Sequence, residues 1–149
     1  MRGFSSNYTL YGDISARINT TYRDAMPDVK NHSIDKSFLD LTGSVRLDRV
    51  ALAGDIRATV RASTGIPTCV GIGATKTLAK LANHIAKSVL ELDGICDLTE
   101  PAAYEQWLCR IHIGERWGVG RASLPKLEAH ASIPWRSYVT SIPARCARH

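Results

Sequence analysis

Cysteine is scarce in this chain and badly spaced for any framework. Cys69, Cys96, Cys109 and Cys146 form no CxxC pair, and the five histidines form no HExxH pattern. Neither a zinc centre nor a set of disulfides is expected, and free thiols suit a reducing cytoplasm. No apolar run is long enough to span a bilayer, and the opening MRGFSSNY lacks the apolar core of a signal peptide, so no membrane partner is expected. The GIGATK stretch lacks the GxxxxGK[ST] spacing of a P-loop, which argues against an NTPase. Acid is in deficit: 14 Asp and Glu face 19 Lys and Arg, for a net charge of +5 and a sequence pI near 9.2. That excess permits an anionic partner such as nucleic acid but does not require one.

What is present is a globular balance. Hydrophobic residues make up 44% and charged residues 22% of 149 positions, enough for one domain or one domain plus a smaller piece. Ser5, Ser6 and Asn7 are good helix caps, and Tyr11, Ile14, Ile18 and Tyr22 then recur at helical spacing up to Met26-Pro27. Residues 29–34 and 38–41 read as two short strands pairing as a hairpin, with Asp35 and Lys36 near its tip. A helix is expected over 44–63, with Leu52, Ile56 and Val60 on one stripe, broken by Gly65-Ile66-Pro67. A strand follows over 68–72, Gly73 opens a loop, and 75–92 reads as the clearest helix in the chain. Its apolar face carries Leu78, Leu81, Ala82, Ile85, Val89 and Leu92, and its polar face Lys76, Lys80, His84 and Lys87. Gly94 stops it.

This order predicts helices packed on a mixed or antiparallel sheet, an α+β unit over about 5–97. A short helix over 101–110, the Trp117-Gly118-Val119-Gly120 turn and an interrupted helix to about His130 come next. An irregular tail covers 131–149.

Three stretches carry chemistry. Asp35 at a hairpin tip is well placed to supply a carboxylate to a two-cation phosphoryl-transfer site, although Asp-Lys in a hairpin, taken alone, is more often an ordinary solvated turn. Asp40 lies five residues on, across the hairpin. A glycine loop followed by Lys76, Lys80 and Lys87 can hold phosphates through amides and ammonium groups, or can be the polar face of a surface helix. The WGVG turn suits a helix-hairpin-helix whose amides contact a nucleic-acid phosphate, but the pattern is short.

Taken in order, SSNYTLYGDISARI, HSIDKSFLDLTG, GIPTCVGIGATKTLAKLANHIAK, CDLTEPAAYEQWL and IGERWGVGR resemble a UmuC-type Y-family translesion DNA polymerase, over roughly residues 4–121. The resemblance implies a partial ferredoxin-like palm over 1–97, a partial helix-hairpin-helix thumb over 98–130 and an irregular tail. In the family the hairpin reads SIDE, and its Asp and Glu join an Asp of the first strand to hold two magnesium ions. Asp35 matches that Asp, and Lys36 occupies the Glu position. Lys87 matches a triphosphate-binding lysine, Asp40 matches a structural acid, and Gly118, Gly120 and Arg121 fall in the turn that grips the DNA backbone. Lys76 and Lys80 are expected to contact DNA.

Relative to the family pattern, the chain begins after the first strand and the fingers, and the likeness fades after Arg121. Asn31 stands where an apolar strand residue is expected. Lys36 beside Asp35 neutralises it and repels a cation: opposite charges about 4 Å apart are worth about 1 kcal/mol in water and about 4 at an effective dielectric of 20. The implied partners are damaged template-primer DNA, a deoxynucleoside triphosphate and a complementing polypeptide. Three readings stay open: a polymerase piece acting in repair and the SOS response, a non-catalytic DNA-binding module, and a remnant without function.

Overall fold

The computed structural model describes residues 5–43 and 48–108, together with Pro125. The chain divides into two units, Met1–Leu98 and Thr99–His149.

The first unit starts with α1, Tyr8–Ala25, capped by Asn7, whose side chain accepts from the Leu10 N–H at 3.1 Å. The chain leaves the helix at Met26 in an extended conformation, as a residue before proline prefers. Strands β1, Val29–Ser33, and β2, Lys36–Leu39, then form an antiparallel hairpin. The helix expected over 44–63 is α2, Arg49–Thr64. Asp48 caps it by accepting from the Val50 and Ala51 N–H groups, both at 3.0 Å, and Gly65 ends it in the left-handed conformation at φ 73°. Residues 44–47 lie outside the described residues.

Strand β3, Val70–Gly73, takes in Gly73, the residue expected to open the loop. The helix that follows, α3, Lys76–Ser88, is capped by the Thr75 hydroxyl and stops four residues short of the expected Leu92. Its polar/apolar pattern runs on, but Val89 turns extended, and Leu90–Leu92 form a single 3-10 turn. Asp93 (φ 43°) and Gly94 (φ 71°) are then both left-handed. This turn redirects the chain into a strand absent from the sequence reading, β4, Ile95–Leu98, and leaves Leu90 90% exposed rather than packed. Arg57 braces the turn, donating to the Thr68 carbonyl at 2.8 Å and to the Asp93 carbonyl.

Strands β3 and β4 pair in parallel with α3 as their crossover, while β1 and β2 form a separate two-stranded sheet. The mixed α+β class holds, with one antiparallel and one parallel pair. The buried apolar residues lie on α2 (Ala53, Ile56, Val60), on α3 (Leu81, Ala82, Ile85, Ala86) and on the parallel pair (Ile72, Cys96, Leu98), and both helices pack on those strands. Val60 and Leu98 are wholly buried, each worth roughly 1.5–3 kcal/mol over exposure. Gly71 and Gly73 let α3 lie directly on β3. A Cβ on Gly71 would sit 2.1 Å from the Asn83 nitrogen, and one on Gly73 2.7 Å from the Ala79 nitrogen.

The hairpin lies outside this core; β1 is exposed along Lys30–Ser33. Of the expected apolar face of α1, Ile14, Ile18 and Tyr22 are half-buried but Tyr11 is exposed. In the second unit, α4 spans Pro101–Leu108, with proline at its first position. Residues 109 and 110 of the expected helix, the WGVG turn with Gly118, Gly120 and Arg121, and the 131–149 tail lie outside the described residues.

Candidate functional site at the hairpin

Val29, Lys30 and Asn31 face Leu39, Phe38 and Ser37, and Ser33 then faces Lys36. His32 is thus an extra residue on β1, a bulge, and Ile34-Asp35 form the two-residue tip. Neither tip residue takes a positive φ, so the turn is not the mirror-image type usual for two-residue hairpins. The bulge supplies local twist and re-aims the His32 side chain.

At the tip the Ser33 hydroxyl donates to Asp35 Oδ1 at 2.7 Å, and Lys36 Nζ donates to Asp35 Oδ2. The bond from Lys36, then that from Ser33, holds the Asp35 carboxyl down to about 2. Both side chains are about half exposed, so the pair contributes at most about 1 kcal/mol to folding. Its importance is local: both Asp35 oxygens are engaged, one of them by a cation.

Asp40 is occupied in its own turn. It accepts from the Thr42 N–H at 2.8 Å and from the Thr42 hydroxyl, bonds that hold its carboxyl below the usual range, with Lys76 adding to the effect. Among the described residues no three His, Cys, Asp or Glu side chains gather as a metal ion needs. A magnesium ion requires carboxylates free to coordinate it, so the hairpin residues do not fit the pair of ions implied by the family.

Facing the hairpin are the first turns of α3. Lys76 and Lys80 hold their ammonium groups 5.7 and 5.9 Å from the Phe38 ring centroid. His32 packs edge-on to the same ring, at 5.7 Å between centroids. Lys80 Nζ lies 2.9 Å from His32 Nε2. With an ammonium as donor, that nitrogen is the unprotonated one. Partial burial, and then the charge of Lys36, lower the pKa of Lys80. The structure therefore brings Lys76 and Lys80 to the hairpin. Lys87, in the last turn of α3, is exposed and makes no described contact with it.

The hairpin is tied to α1 by polar contacts. Asn19, the one buried residue of α1, donates through Nδ2 to the Ser15 carbonyl at 2.8 Å and accepts from the Ser37 hydroxyl at 2.7 Å. Asn31, where an apolar residue was expected, is exposed on β1, with its side-chain oxygen 3.5 Å from the same hydroxyl. Sequence reasoning missed Asn19, His32 and Phe38. Ser37, polar at a half-buried strand position, was the available signal for Asn19; nothing local flagged the bulge that turns His32 toward Lys80.

The sequence of residues 3–84 matches the profile of IMS, the impB/mucB/samB family. The chain belongs to this family. The matched region takes in the hairpin and the first two turns of α3. UmuC of Salmonella typhimurium is 45% identical over 128 residues, covering 85% of this chain and 30% of that protein. MucB of Escherichia coli is 39% identical over 120 residues (78% and 28%). DNA polymerase IV of Alkalilimnicola ehrlichii is 30% identical over 123 residues (81% and 33%). The chain thus spans about a third or less of the length of these relatives. Among solved structures, DinB from Sulfolobus solfataricus superposes with a TM-score of 0.70 at 23% identity, over 91% of this chain and 39% of that one. An insertion ternary complex of Dbh DNA polymerase gives 0.69 at 22% identity (89% and 40%). The expected likeness to UmuC-type Y-family polymerases, and to their palm fold, is borne out.

Proposed function

We propose that this chain is a palm portion of an error-prone translesion DNA polymerase of the UmuC type, serving DNA repair within the SOS response in the cytoplasm. By itself it holds DNA without adding nucleotides. The relatives named UmuC, MucB and DNA polymerase IV support the polymerase role. The observation that carries the catalytic part is the Lys36 ammonium on Asp35, where metal-dependent phosphoryl transfer needs a second carboxylate. Lys76 and Lys80, brought beside the hairpin, support contact with the DNA backbone.

In this reading residues 1–97 act as the palm and 98–130 as the start of a thumb, with Gly118, Gly120 and Arg121 at a phosphate-gripping turn. Lys87 is left to meet a nucleoside triphosphate. Magnesium and the remaining carboxylates come with a complementing polypeptide. Primer extension by the purified chain with magnesium tests the proposal. No extension is expected; extension that Asp35→Ala abolishes would overturn it.

A further inference from the structure

We draw no further inference here: the strongest candidate, the exposed apolar patch that Tyr8 and Tyr11 give the first turn of α1, carries nothing because nothing in the structure shows what covers it.

Discussion

The Ser37 hydroxyl on β2 donates to Asn19 on α1 across 2.7 Å, joining the hairpin to a helix that otherwise buries little. Asn19 has both ends committed, one to Ser37 and one to the Ser15 carbonyl. Removing it leaves the half-buried Ser37 hydroxyl with only its long 3.5 Å contact to Asn31. Asn19→Ala should lower the unfolding free energy by roughly 1–3 kcal/mol, the cost of breaking a buried polar pair on one side. Urea denaturation measures it. A midpoint equal to that of the unaltered chain would mean that the hairpin is held by something else.

The tip makes a pH prediction. Lys36 and Ser33 depress the Asp35 carboxyl from the ordinary 3.8 to about 2. A depressed acid stabilises the fold above its unfolded pKa and loses that contribution as pH falls through the folded value. The pair should therefore persist to about pH 2, and Lys36→Ala should return the midpoint toward 3.8. An NMR titration of the Asp35 side chain gives both midpoints; equal midpoints would remove Lys36 as the cause.

Two glycines should behave oppositely. Gly71 faces α3 backbone so closely that an added Cβ meets the Asn83 nitrogen at 2.1 Å and the Ala79 oxygen at 2.2 Å. Gly71→Ala has to push α3 off β3 and should abolish cooperative unfolding or cost more than about 3 kcal/mol, beyond the usual overpacking range. Gly12, inside α1, has nothing within 4 Å of such an atom, so Gly12→Ala should stabilise by about 0.5–1 kcal/mol. Thermal melts of the two variants distinguish a close-packed glycine from an idle one.

Cys96 is buried in β4, and burial, with Asp97 adding to it, raises its thiol to about 11 from an ordinary 9.0. The folded chain then holds a proton that the unfolded chain loses, so its contribution is full below about pH 9 and falls away toward about pH 11. Site-resolved alkylation at neutral pH should leave Cys96 unmodified in the folded chain and label it on unfolding. Half-buried Cys69 serves as the comparison. Fast labelling of Cys96 in the folded state would contradict its placement.

Much of this architecture was legible because its signals are local. The α3 stripe Leu81, Ala82 and Ile85 repeats at helical spacing and packs as that pattern requires. Gly65 and Asn7 act as the stop and cap their chemistry suggests. The failures lie where tertiary contact overrides pattern. The apolar rhythm continued to Leu92, yet two successive left-handed residues, Asp93 and Gly94, steer the chain into a four-residue strand whose parallel partner is more than twenty residues away. Asp35 and Lys36 could be read as a hairpin tip from the strands around them. Their bond, and the arrival of Lys80 at His32, depend on a bulge and on how α3 crosses the hairpin, which no local rule encodes.

This hairpin carries cation against carboxylate where a metal centre would need carboxylates alone. Titrating manganese(II) into the full chain while following the Asp35 and Lys36 amide signals tests it most directly. With Lys36 on Asp35, no selective broadening at the tip and no saturation are expected. Saturable broadening centred on Asp35, removed by Asp35→Ala, would show that the hairpin binds a divalent cation despite Lys36, and would contradict it.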